Sequence, residues 1–415
     1  MGPRRLDLPH AGDARQRLVR VSSADRHPQR DKDSAGGAAV RRPVFVAGRG
    51  AVTGFGAGLD ALCEGIFSGQ TALRTRRRTA AFRAETEVCG EFPEGTICNV
   101  EEPERDLPLR AAIMATEEAL AEAGQPDPMT IGVVLATTKG DMSGICGSGA
   151  GLGSPMRLGV LVSQAFGFGA RPTALSCACA SGVLGLASAA RRIASGECER
   201  LVVVAADAVN EFILRGFGGL GALDPGACRP FDRERRGVSL GDGAGAVVLT
   251  AHESESVGVR ISGYGGANDA CHITGPDYDG LGVGLAARRA VEHAGLKLED
   301  IDALQLHATG TRSNDSSEAI GLGDLWAEVA DATPPAFGSK GQTGHTLGAA
   351  GVIESLLAIE CLERMTVPAN LGLRQSDCDQ RLDVRGHARP LRRTRHALKV
   401  ASGFGGVQGA MVFSA

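Results

Sequence analysis

Aromatic side chains are scarce in this chain, at 4% of 415 residues, and only one of them is Trp. Small and aliphatic side chains must therefore fill the core, and the 59 glycines suit tightly packed helices on a sheet with many sharp turns. Long apolar runs are also missing. None reaches the roughly 18 residues that cross a bilayer, so no membrane span is expected. The 11 cysteines include no Cys-x-x-Cys pair and no zinc-like spacing, and Cys177 and Cys179 are too close for a relaxed disulfide. A reduced, cytoplasmic setting without a metal is expected. Nor does one charge sign dominate: a net charge of −4 argues against a nucleic-acid binder. No apolar stretch near the N-terminus suggests a secretory leader.

Residues 1–42 are polar and rich in Arg and Asp, and are expected to be a disordered extension. Asp7, Asp13, Asp25, Asp31 and Asp33 argue against an organelle transit peptide, because such peptides are poor in acids. From Pro43 onward, apolar strands alternate with helical stretches: strands at 43–48, 131–136, 200–207, 240–249, 259–263 and 303–306, helices near 58–68, 109–124, 180–195 and 281–295. The fold class is α/β, with parallel or mixed sheets covered on both faces. Two halves are expected, 43–258 and 259–415. The run opening at Cys179 and the run opening at His345 occupy similar places in their halves, which suggests a duplicated unit with the site between them. The arginines from Arg74 to Arg78 are expected in a solvated loop, and Gly140–Pro155 in an ordered loop near the site.

Four short stretches carry chemistry. In Leu175-Ser-Cys-Ala-Cys-Ala-Ser-Gly182, Cys179 sits where a strand breaks into a small-residue helix. A thiol at a helix N-terminus meets unpaired N–H groups and the positive end of the dipole, and both favour thiolate. His307 directly follows an apolar strand, on the usual ligand side of an open α/β sheet. Lys340-Gly-Gln-Thr-Gly-His345 leads into a helix that carries Glu354. Gly403-Phe404-Gly405-Gly406 is a tight turn around one aromatic ring. Singly, each also reads as ordinary structure: a buried cysteine, a core histidine, a turn.

Together, in this order, the motifs resemble the β-ketoacyl-acyl carrier protein synthases of the condensing-enzyme, or thiolase-fold, superfamily. The resemblance is to the Cys-His-His branch and covers about residues 43–413. It implies duplicated halves layered α/β/α/β/α. It implies Cys179 as nucleophile, His307 and His345 as donors to the enolate, Lys340 as an electrostatic organiser paired with Glu354, and Phe404 as a gate. The N–H groups of Cys179 and Phe404 would form the oxyanion hole. Thr309 and Thr311 would bind the substrate's pantetheine arm, and Glu354 is grouped with substrate binding. No metal or resident cofactor is implied, since acyl carrier protein brings its own phosphopantetheine. The partners implied are that carrier and a second chain, as a homodimer or a heterodimer with a related synthase.

Other readings of the family fit less well. A non-elongating chain-length factor lacks the cysteine, a thiolase has a second cysteine near the C-terminus, and the initiating synthases carry asparagine where His345 stands. The chain also departs from the family pattern. Ala308 replaces a usual glycine, Arg312 a common proline, and 140–179 is short. Thr137-Thr-Lys-Gly-Asp141 replaces a glycine-rich run, and with His272–Pro276 it is similar to synthases of aryl polyene or flexirubin-type pigments. An unpaired Lys139 ammonium would disfavour a buried saturated chain. Lys139 is therefore expected to be paired with Asp141 or an acid of a second chain, or to face a polar or conjugated acyl group.

Overall fold

The computed structural model describes residues 42–75, 88–98, 103–140, 142 and 154–415. The expected N-terminal extension, most of the arginine run, Asp141 and most of the Gly140–Pro155 loop lie outside the described residues.

Arg42–Ala415 is one compact unit. Its first half contributes β1 Phe45–Thr53, β2 Ile131–Ala136, β3 Thr173–Leu175, β4 Arg200–Asp207 and β5 Gly243–Thr250. The second contributes β6 Val259–Asn268, β7 Ala303–Gln305, β8 Ala336–Phe337, β9 His396–Gly403 and β10 Val407–Ser414. They form one sheet in the order β8-β7-β9-β10-β6-β1-β5-β4-β2-β3, and Gly56–Ala57 hooks onto β1. Counted outward from the β6–β1 junction, each half runs first, fifth, fourth, second, third strand. The fifth strand is antiparallel to both neighbours in each half. The second and third strands are parallel to each other, as are the second and fourth. The junction is short, pairing Phe45 with Arg260 and Val46 with Val259.

The helices are α1 Leu59–Phe67, α2 Pro103–Glu122, α3 Pro155–Phe166, α4 Ser181–Ala194, α5 Glu211–Gly219, α6 Leu281–His293, α7 Arg312–Trp326 and α8 Ala350–Glu363, besides the single turn Lys340–Thr343. Strand parity sorts them into layers, because alternate side chains point to opposite faces. Leu201, Val203 and Ala205 of β4 pack with α4 and α8, as do Ala397, Ala401, Met411 and Phe413 of the second half. Val202, Val204 and Ala206 face α2 and α3 instead. Leu398, Val400, Ala410 and Val412 face α6 and α7. The result is α/β/α/β/α, with α4 and α8 as the shared middle layer. Among the described residues no helix is long and apolar enough to cross a membrane.

Three element boundaries differ most from the sequence reading: β1 runs on past 48 to Thr53, because β5 pairs with it to that point. α2 begins a turn or more earlier than 109, with Pro108 inside it. β6 continues to Asn268, because β10 pairs with it along its whole length.

Candidate active site

The middle layer brings the sequence motifs together. Gly182 of α4 and Gly351 of α8 touch: a Cβ on Gly182 would lie 2.6 Å from the Val352 nitrogen, and one on Gly351 would lie 2.4 Å from the Val183 nitrogen. No side chain fits there, so the starts of the two helices meet backbone to backbone. Cys179 lies two residues before one helix, and His345 five residues before the other.

Cys179 follows a strained corner. Ala178 has φ 48, the left-handed region, which costs about 1–2 kcal/mol for a residue with a Cβ. Ser181 stabilises that corner. Its Oγ accepts from the Cys177 N–H at 2.8 Å and donates to the Ala178 carbonyl at 2.5 Å. Burial pushes the Cys179 thiol up to about 12, while the Lys340 ammonium pulls the other way. Burial thus outweighs the pull toward thiolate expected from the helix position. A helix terminus contributes at most about 2 kcal/mol, too little to offset enclosure of the whole sulfur.

His345 is fixed by backbone on both sides. Its N–H donates to the Ser239 carbonyl at 2.7 Å, and its Nδ1 accepts the Leu347 N–H at 3.1 Å. An accepting Nδ1 places the ring proton on Nε2, and Nε2 is buried without a partner. His307 packs edge-on against it, with ring centroids 5.3 Å apart at 84°. The His307 Nδ1 lies 3.5 Å from the Lys340 ammonium, so its proton also belongs on Nε2. Burial, then Lys340 and further positive groups, hold both rings well below the ordinary 6.5. Both are neutral donors at neutral pH.

Lys340 and Glu354 stand behind His307. Lys340 donates to the His307 carbonyl and to Glu354 Oε1, and both side chains are buried. Neither reaches the cavity described below, which corrects Glu354 as a substrate-binding residue: its carboxylate is turned inward by two lysines.

A cavity of about 660 Å³ opens from Cys179, His307 and His345 to the surface. Thr309 and Thr311 line it, with their hydroxyls 2.9 Å apart. Phe404 lies at its side on the turn between β9 and β10. It is 37% exposed and stacks on Phe217 of α5 with centroids 5.6 Å apart. Gly403 holds this turn against the cysteine corner, where a Cβ would lie 2.9 Å from the Cys177 carbonyl oxygen. Arg312 lines the cavity, while Ala308 is wholly buried with φ 51, a conformation that suits the glycine it replaces.

Lys139 is paired within its own chain. Its Nζ lies 3.0 Å from Asp207 Oδ1, at the end of β4. Asp207 also accepts from the Thr137 hydroxyl at 2.9 Å and from the Thr138 and Gly348 N–H groups at 2.8 Å each. Asp207, which the sequence reading did not name as a partner, therefore supplies a counter-charge to the ammonium without any polar acyl group, while Asp141 lies outside the described residues. Three buried residues escaped the sequence reading: Asp207, Glu318 and Lys399. Glu318 Oε1 and Oε2 accept the His307 and Ala308 N–H groups at 2.5 and 2.8 Å. Lys399 had a visible signal, a lone charge in Ala397-Leu-Lys-Val-Ala401.

Comparison with known proteins gives the family and the fold. The family profile described as Beta-ketoacyl synthase, N-terminal domain matches residues 41–255, and its C-terminal counterpart matches 259–374. The chain belongs to the β-ketoacyl synthase family. Within that family it is 32% identical to the 3-oxoacyl-acyl-carrier-protein synthase 2 of Vibrio cholerae, over 58% of this chain and 61% of that protein's length. It is 30% identical to a putative polyketide beta-ketoacyl synthase 1 of Streptomyces cyaneus, over 90% of this chain and 98% of the relative. Among solved structures, the ishigamide ketosynthase/chain length factor superposes with TM-score 0.82 at 26% identity, covering 90% of this chain and 99% of that one. A β-ketoacyl synthase from Burkholderia phymatum gives TM-score 0.79 at 25% identity, over the same shares. The fold is the thiolase-like one of these ketosynthases.

Proposed function

We propose that this chain is a β-ketoacyl-acyl carrier protein synthase, a condensing acyltransferase of fatty acid or polyketide-type biosynthesis. The observation that carries the reading is the unpartnered Nε2–H of His345, fixed as a donor, lining one cavity with His307 and Cys179. Cys179 Sγ attacks the thioester of an acyl carrier, and its proton leaves with the carrier's thiol. The N–H groups of Cys179 and Phe404 are the donors to the tetrahedral oxyanion. A malonyl carrier then binds, its arm along Thr309 and Thr311. Its carbon–carboxylate bond breaks and carbon dioxide departs. The electron pair becomes an enolate whose oxygen accepts from His307 and His345. The enolate carbon bonds to the acyl carbonyl, the carbon–sulfur bond breaks, and the Cys179 thiolate released takes up a proton from solvent.

Phosphopantetheine enters only as the substrate's arm. The chain-length-factor reading is not favoured, because the nucleophile and both donors are present. The partners in this reading are acyl carrier protein and a second chain, identical or related.

Mass analysis of the product from acyl carrier and malonyl carrier tests the reading. The expected species is a β-ketoacyl carrier longer by the two carbons of decarboxylated malonate. Malonyl carrier consumed only to acetyl carrier, with every acyl carrier tried, would contradict it.

A further inference from the structure

Lys399 sits in the middle of β9, and its side chain shares the inner face with Ala397 and Ala401. It is fully enclosed in the layer between the halves. Its Nζ lies 2.6 Å from Glu354 Oε2 and donates to the Leu306 carbonyl at 3.3 Å. The other oxygen of Glu354 holds Lys340, which reaches the carbonyl and Nδ1 of His307. One carboxylate thus joins two ammonium groups behind one imidazole.

Stability does not account for this arrangement. Enclosing an ion costs several kcal/mol, and apolar replacements of buried ionic groups are often neutral or stabilising. Lys340 alone would balance the charge of Glu354. Adding Lys399 leaves the three groups with one positive charge in excess. Glu318 is a further carboxylate facing Lys399, and the two ammonium groups lie behind the ring that, in the ketosynthase reading, meets the enolate.

We propose that Lys399 is a positioning residue for the condensation: it holds one oxygen of Glu354 so that the other fixes Lys340 against His307, and it places a second positive charge behind that ring. The proposal rests on the ketosynthase reading above. It assigns Lys399 no contact with substrate, since the residue does not line the cavity. Its effect passes through Glu354 and Lys340 to the tautomer and orientation of His307. The charged and titratable groups facing these side chains are Lys340, Glu354 on α8, Glu318 and Asp315 on α7, and the rings of His307 and His345. Burial and Lys340 pull Lys399 down to about 8, and Glu354 opposes them. Lys399 in turn lowers both histidines.

The test compares the full chain with Lys399→Met and Lys399→Gln in three assays. These are acylation of Cys179 by an acyl carrier, malonyl-carrier decarboxylation against pH, and thermal unfolding. Expected for Lys399→Met is acylation retained and kcat for decarboxylation lowered about 10- to 100-fold, with KM for the malonyl carrier little changed. The acid limb of its pH profile moves to higher pH, because a positive charge near both imidazoles is gone and protonation becomes easier. Lys399→Gln removes the charge and leaves a shorter polar side chain with an amide donor in the same layer. It shows the same displaced limb with a smaller fall in kcat, and it decides the matter if the Met variant does not fold. An active parent whose folded variants keep its kcat and acid limb would overturn this proposal and leave the ketosynthase reading intact. A parent that decarboxylates no malonyl carrier overturns both.

Discussion

His345 is oriented without any side-chain partner; the backbone of its own loop holds it, with Leu347 donating to Nδ1. The consequence is a pH dependence of known sign. Both rings titrate well below 6.5 in the folded chain. Decarboxylation of the malonyl carrier should therefore keep its rate as pH falls toward 6.5 and decline only below it. Folding responds in the same direction. Between the unfolded value of 6.5 and the lower folded value, the unfolded chain binds more protons. Stability is thus intact above 6.5 and is lost as pH falls through that window, by up to about 1.4 kcal/mol per pH unit for each ring, levelling off below the folded value. A rate profile and a melting series over the same pH range check both. An acid limb well above 6.5 would mean that the rings are cationic in the working range. Much of this site was legible residue by residue, because Cys179, His307 and His345 each stand at a break between apolar and small residues. Their supports were not. Asp207 lies 68 residues from Lys139, and Lys399 lies 45 residues from Glu354, so no local spacing links them.

Elements repeat what single residues hide. β1 carries Gly48 and Gly50, where a Cβ would lie 1.9 and 2.0 Å from the Ala119 and Ala115 carbonyl oxygens of α2. β6 carries Gly263 and Gly265, with 2.1 and 2.2 Å to the Ala290 and Ala286 oxygens of α6. The same helix lies flat on the same strand in both halves. The duplication was legible in the helices that follow Cys179 and His345, whereas this second pair of signatures emerges only when strand and helix are seen in contact. The two ends of the sheet differ. β8 is buried and bridged by Val384. β3 ends the sheet with Thr173 exposed and Ala174 and Leu175 half-buried, and no described strand pairs with its outer side. Unpaired edges of this kind recruit a second chain. Light scattering of the purified chain should give a particle of twice 42.7 kDa, joined through β3. A fully active monomer at micromolar concentration would contradict this, and a particle formed only with a related synthase would give the heterodimer.

At the scale of the whole molecule, the cavity lies where the halves meet. The first half supplies Cys179; the second supplies both histidines, the threonines and Phe404. In the proposed mechanism the nucleophile and the enolate donors thus come from different repeats, and acylation and condensation can be followed separately. The most direct measurement is a chase of the acyl group on Cys179. The chain is loaded from an acyl carrier, malonyl carrier is added, and peptide mass mapping follows the adduct in the parent and in His345→Ala. The predicted result is an acyl group on Cys179 rather than Cys177, discharged by malonyl carrier in the parent and persisting in the variant. Removing one such donor is expected to slow discharge by about 10²- to 10³-fold. An adduct on Cys177, or discharge from the variant at the parent's rate, would contradict the account.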